Sequence, residues 1–199
     1  MKSYMRSPSV AAALLTAIAC STKDSATPDT ASGGMGAVAG APATPGGGNA
    51  AGMAATGDAD HDFLLSMSDQ HKGLIAMAHE TIDSKQPLGV KSLAERLDSE
   101  QDAEMDWIAT MLDSVFKDAH TPTITPAGQA MLDSLKGKSG AAYDRAFLEN
   151  AIRSHLEAIR LIDEYVPKAT KPEVKEMAGK MKSARQKEIA EFQAKLKST

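Results

Sequence analysis

The sequence predicts an all-α protein, a four-helix bundle built from two tandem helical hairpins, and three observations carry that prediction. One segment occurs twice, 84 residues apart: Asp60-His61-Asp62-Phe63-Leu64, followed by His71 and Ile75, reappears as Asp144-Arg145-Ala146-Phe147-Leu148, followed by His155 and Ile159. The register then holds without a gap through Val90/Val174, Ala94/Ala178, Leu97/Met181, Glu104/Glu188 and Leu112/Leu196. Repetition at a fixed period marks a supersecondary unit that buries its apolar face against its copy. From Asp60 onwards the apolar residues recur with the period of a helix, and no stretch alternates with β-branched enrichment. Short Pro- and Gly-containing breaks divide each unit in two, which makes each unit an antiparallel hairpin, and two hairpins most simply close a bundle.

The first nineteen residues read as a signal peptide. Lys2 and Arg6 precede the apolar run Val10 to Ile18, which is too short to span a bilayer, and Ala17-Ile18-Ala19-Cys20 follows. This layout resembles a bacterial lipoprotein signal, in which cleavage falls before the cysteine and the cysteine takes up lipid. Cys20 is the only cysteine, so no disulfide forms within the chain and the residue stands where an anchor is expected. Ser21 after it resembles sorting to an outer membrane if the host has two membranes. Without Lys2 and Arg6 the net charge falls from −4 to −6, which argues against general nucleic-acid binding.

Residues 21 to 57 are almost wholly Ser, Thr, Ala, Gly, Pro and Asn. Such a composition cannot bury enough apolar surface to offset chain entropy, and as a flexible coil it spans roughly 35 Å. The lipidated N-terminus and tether therefore comprise 20–57, and the bundle 58–199, with repeat units at about 60–119 and 144–199 and a connector at 120–143.

In the first helix Leu64, Met67, His71, Leu74, Ile75, Ala78 and Ile82 share a face, which ends near Ser84 before Lys85-Gln86-Pro87. The second presents Val90, Leu93, Leu97, Gln101, Glu104, Ile108, Met111 and Val115 and is expected to run to about Ala119. Thr125-Pro126 reads as the N-cap and first position of a short connecting helix that stops at Gly137. The copy repeats the first face with Leu148, Ala151, His155, Ala158, Ile159 and Ile162. Its last helix opens at Thr170-Lys171-Pro172-Glu173, with the spacing of a capping box, and turns Val174, Met177, Met181, Ala184, Glu188, Phe192 and Leu196 inward.

Four polar residues stand on these apolar faces: His71, Glu104, His155 and Glu188. A buried charge is costly unless paired, so each is expected to meet a partner across the bundle. His71 lies as far before the first turn as Glu104 lies after it, which puts the two at similar depth. Two readings stay open. One is a pair of His–Glu hydrogen bonds that pin helix register. The other is a transition-metal site, since imidazole and carboxylate on facing helices suit divalent ions. Met67, one turn before His71, adds a soft thioether that favours Cu(I). Carboxylate-bridged di-iron chemistry is excluded by spacing, because none of the five histidines has Glu three residues before it. HExxH zinc sites, phosphate loops and Gly-x-Ser-x-Gly are absent as well. His61 and His79 fall off the core face and read as solvated, and His120 lies in a connection. Trp107 reads as core-edge packing.

Phe63, Met67, Gln70-His71-Lys72-Gly73, Ile75, Met77-Ala78 and Glu104-Met105 resemble the bacterial domain-of-unknown-function 305 family, whose helix reads Phe-x3-Met-x2-His-His-x-Gly-Ala-Ile-x-Met-Ala. The resemblance implies a ferritin-like fold, export, tandem units and copper binding through His and Met in some members. It departs at Gln70 and Ser154, which replace the first histidine of the pair, and in the second unit, where Ala151 and Leu161 stand at the positions of Met67 and Met77. The expectation is an exported lipoprotein, facing the periplasm or exterior, that binds copper or another transition metal. It is not expected to be an enzyme. Met67, His71, Met77, Glu104, His155 and Glu188 are the candidate ligands, with Cys20 as the lipid anchor. The alternative is a metal-free bundle that serves as a structural or interaction module of the envelope.

Overall fold

A computed structural model describes residues 55–199, so the leader, Cys20 and most of the tether lie outside the described residues. Helix α1 (Ala59–Asp83) opens on Asp58, whose carboxylate accepts from the backbone N–H groups of Asp60 and His61 at 2.9 and 3.1 Å. Helix α2 spans Lys91–Met111 and passes into one π-helical turn, Leu112–Phe116. It therefore stops short of Ala119: Lys117 adopts a left-handed conformation with φ of 55°, which terminates the helix and leaves Val115 exposed instead of inward.

Helix α3 (Pro126–Leu135) starts as its sequence dictates, with Thr125 Oγ1 accepting from Gly128 N at 3.0 Å and proline in the first turn. It crosses α1 where two glycines meet, and a Cβ on Gly73 would lie 2.9 Å from Gly128 Cα. Helices α4 (Gly140–Tyr165) and α5 (Pro172–Ser198) form the second hairpin. Each hairpin packs internally, α1 lies against α4, and α3 bridges α1 and α4. No strand occurs, and no helix is long and apolar enough to cross a membrane, among the described residues.

The repeat is expressed as an approximate two-fold relation between the hairpins. Gln70 and Ser154, exchanged by the 84-residue register, touch each other: Gln70 Nε2 donates to Ser154 O at 3.0 Å and to its Oγ at 2.6 Å. Each unit also ties down the other's turn. Asp144 in α4 accepts from Gly89 N at 2.9 Å, just before α2. Its counterpart Asp60 in α1 accepts from Thr170 N and Lys171 N at 3.2 and 3.1 Å, just before α5, and from the hydroxyls of Tyr165 and Thr170. The capping box expected at Thr170–Glu173 is thus replaced. Lys171 is the N-cap and carries no side-chain cap, because the Thr170 hydroxyl is committed to Asp60 across the bundle. Burial works to raise the Asp60 pKa, but these donors outweigh it and hold the carboxyl below its ordinary value.

The apolar core is divided into two clusters. One holds Leu74, Met77, Val90, Leu97, Leu148 and Phe192; the other holds Leu64, Met67, Ile108, Ile162, Val174 and Met181. Along every one of the four long helices the chain passes from one cluster to the other at a polar residue. The bundle therefore has a polar layer at its waist.

Candidate functional site

The waist layer contains four of the six residues singled out from sequence. His71 Nε2–H donates to Glu104 Oε2 at 2.8 Å, with His71 wholly buried. In the second unit His155 Nε2 lies 2.8 Å from Glu188 Oε2, also with a wholly buried ring. That carboxylate sits off the ring N–H direction, so among the described residues neither nitrogen of His155 has a well-aligned partner, and the ring packs at 5.5 Å from Phe192.

The two pairs are joined by a fifth residue that sequence reading missed. Arg185 is 1% exposed and donates from Nη1 to Glu188 Oε2 at 3.1 Å and from Nη2 to Glu104 Oε2. Its Nη2 also lies 3.4 Å from His71 Nε2. One guanidinium thus bridges both carboxylates, one from each hairpin, in the fork geometry that suits arginine. The inward residue expected at this turn of the last helix was Ala184, and the structure corrects that by one position. The signal was present in the repeat: Arg185 occupies the register position of Gln101, which the helical period had already placed on the inner face. Gln101 is itself fully buried, and among the described residues neither its oxygen nor its nitrogen finds a partner.

A groove of about 880 Å³ between α2 and α5 opens onto the layer, lined by Arg96, Glu100, Glu104, Arg185, Glu188 and Glu191 among others. At its rim Arg96 pairs with Glu191 at 2.6 Å.

The electrostatics follow from this packing. Burial holds His71 and His155 below the ordinary imidazole value, and the positive charge of Arg185 adds to it, against the pull of each glutamate. Burial pushes Glu104 and Glu188 upward, but the adjoining histidines, His71 through its hydrogen bond to Glu104 and His155 by its closeness to Glu188, prevail together with Arg185 and hold both low. Glu100, hydrogen-bonded to Glu188, is pushed up to about 7 because two carboxyls share one proton. Each depressed group is protonated more readily in the unfolded chain. Stability is therefore present above the ordinary histidine value of 6.5 and falls as pH drops below it, falling further through the glutamate range. Glu100 has the opposite sign, with a contribution lost as pH rises through about 7, and it is small because that side chain is nearly half exposed. Thermal melts from pH 5 to 8 are expected to show a maximum near neutrality, with a steep acid side that flattens in His155→Gln. An acid side as shallow in the parent protein as in the variant would contradict the assignment.

Met67 and Met77 are not brought to the layer. Met67 is buried in one apolar cluster and Met77 in the other, on opposite sides of it. The remaining histidines are pinned elsewhere. His61 is not solvated as expected: it stacks on Phe116 at 4.5 Å and bonds Asp118 at 2.8 Å, because the π-helical turn folds that segment back over α1. His120 bonds the buried Asp69 at 2.9 Å, and His79, largely exposed, pairs with Asp98 at 2.8 Å.

Copper, implied by the family resemblance, does not fit this donor arrangement. Both carboxylates are spent on a resident cation, Nε2 of His71 is engaged by Glu104, and the thioethers lie apart. Among the described residues no group of three or more His, Cys, Asp or Glu is placed to hold one ion.

Comparison with known proteins sets this geometry in a family. A DUF305 fragment from Deinococcus radiodurans superposes with a TM-score of 0.63 at 21% identity, over 71% of this chain and 97% of that one. CopM in its Cu(I)-bound form matches with a TM-score of 0.60 at 20% identity, over 70% and 96% of the two chains, and its Cu(II)-bound form with 0.58 at 22%. At these identities the likeness is one of fold, and it bears out the ferritin-like bundle and the resemblance to the DUF305 family. No curated protein matches the sequence. The model of the domain of unknown function DUF4142 matches residues 46–194, three quarters of the chain, and the protein belongs to that family.

Proposed function

We propose that this protein is a lipid-anchored, exported helical module that works at the cell envelope through its surface, with the waist layer serving as the lock between its hairpins. The observation that supports this reading is Arg185, which supplies from within the chain the positive charge that a metal would otherwise bring to Glu104 and Glu188. The ionisable groups of the layer are committed to one another, so we assign them no catalysis. The anchor rests on Cys20 and its leader, and the tether gives the bundle reach from a membrane, the outer one if the host has two.

Copper binding is the second reading, favoured by the bundle's likeness to CopM, which has been solved with Cu(I) and Cu(II) bound. One experiment separates the two. The full-length Cys20→Ser protein, which the anchor proposal expects to leave the membrane fraction, is titrated with Cu(I) against a competing chelator, and separately with Cu(II) and Zn(II). If the layer is a lock, no metal enters it and His71→Ala lowers stability alone. If copper is bound there, the protein gains about 2.7 kcal/mol at a hundredfold excess over Kd. His71→Ala then abolishes the gain, whereas Met67→Leu, in the apolar cluster beside the layer, leaves it.

A further inference from the structure

Resting on the reading of the protein as an envelope module that works through its surface, we propose that the cleft between α3 and α4 binds an aliphatic carboxylate of the fatty-acid type, with Arg153 and the Ser154 hydroxyl at its head. The internal repeat accounts for the cleft. On the first unit the connector and α3 lie directly on α1: Asp69 accepts from Thr123 N at 2.8 Å and meets His120 Nε2 at 2.9 Å, and Gly73 meets Gly128. The register mates of Asp69, Gln70, Lys72 and Gly73 are Arg153, Ser154, Leu156 and Glu157. These line a cleft of about 650 Å³ whose other wall is Ala127, Gly128 and Met131 of α3. A glutamate in the place of Gly73 forbids the same close approach, so α3 stands away from α4 there. The volume falls within the roughly 300–1,000 Å³ of small-molecule sites.

The lining matches both ends of such a molecule. Three large apolar side chains are exposed among the described residues, and two of them stand here: Leu156, 53% exposed, lines the cleft, and Ile124 lies against Gly128 at its edge. Single exposed apolar residues are ordinary, whereas apolar groups gathered on one concave surface mark a binding site. Arg160 spends its charge on Glu157 and Glu164, but Arg153 meets no carboxylate among the described residues. Its Nη2 donates to Asn150 Oδ1, and Asn150, itself buried, is fixed to α3 by donating to Met131 O at 3.3 Å and Ser134 Oγ at 2.7 Å. A buried amide thus holds the guanidinium in place and leaves most of its donors for a carboxylate, which arginine grips by two parallel bonds. Ser154, 6% exposed, accepts from Gln70 Nε2 at 2.6 Å, and its own hydroxyl hydrogen has no acceptor among the described residues. A peptide fits less well, because its backbone N–H and C=O groups need partners and the walls are helices whose own backbone groups are already paired.

The full-length protein carrying Cys20→Ser, with methyl-labelled methionine, is titrated with sodium dodecanoate below its micelle concentration. Calorimetry reads affinity and stoichiometry, and the Met131 methyl signal reads the place of binding. One dodecanoate per chain is expected, with the Met131 signal shifted and those of Met67 and Met77 unmoved. Arg153→Gln should weaken binding ~10–100-fold, the loss of hydrogen bonds to a charged group. Arg153→Lys should recover part of that loss, and Leu156→Asp should abolish binding. Both side chains are exposed, so unchanged thermal melts are expected of all three variants. Dodecyltrimethylammonium, with the same chain and the opposite charge, should not bind. No binding by the parent, equal binding of the ammonium probe, or equal affinity in Arg153→Gln overturns the proposal. Each of these leaves the lock reading standing, since no variant here alters the waist layer, and the lock stands or falls by the metal titration. An apolar hexapeptide with a free carboxyl terminus that binds more tightly than dodecanoate, or a dimer in gel filtration that Leu156→Asp splits, overturns the proposal in favour of a protein occupant.

Discussion

Arg185→Met is expected to lower the free energy of unfolding by about 3–5 kcal/mol, the cost of leaving a buried charge uncompensated. Two carboxylates lose their shared counter-charge at once, since the same guanidinium serves Glu104 and Glu188. A methionine fills most of the volume, so the loss reports charge more than cavity. Urea melts with an unchanged slope and a lowered midpoint are the measurement. The companion Arg185→Met/Glu104→Gln/Glu188→Gln should recover much of the loss, because an apolar or neutral replacement of a whole buried network is often neutral or stabilising. A loss below about 1 kcal/mol for the single variant, the range of an exposed pair, would show that water reaches the layer and that it is no lock.

Cutting the chain between the repeats is expected to abolish folding outright. Residues 58–119 alone should be largely unfolded in circular dichroism, or dimerise through the missing face, whereas 58–199 should melt as one cooperative unit. The reason goes beyond lost apolar contact. The turn before α2 is held by Asp144, and the turn before α5 by Asp60, so neither hairpin contains the carboxylate that fixes its own turn. Glu104 likewise takes its counter-charge from α5. A monomeric, stably helical 58–119 peptide would refute this account of how the units depend on each other.

Much of this architecture was legible in the residues. The 84-residue repeat, the helical period and the Pro- and Gly-containing breaks define two hairpins. The presence of His71, Glu104, His155 and Glu188 on apolar faces announces a polar layer, because only paired groups survive burial. These are properties of one helix at a time, and a linear pattern reports them well. It also contained more than a surface reading extracts: the repeat register aligns Arg185 with the inward Gln101, although arginine by itself reads as exposed.

What the sequence could not decide is which groups from different helices meet. Asp60 and Asp144 lie in the opening turns of their units with nothing in the sequence to name their partners, yet each accepts from the turn of the other unit, across 55 residues or more. Met67 and His71 share a helix face, yet the methionine lies in the apolar cluster beside the layer while the imidazole's partners lie within it, since side chains four residues apart sit one turn apart in depth. Burial of the Arg185 guanidinium is favourable only where two carboxylates from separate hairpins converge, and that convergence is a property of the packed bundle. Sequence determined that the waist of this protein is polar; the tertiary structure alone decided that an arginine occupies its centre.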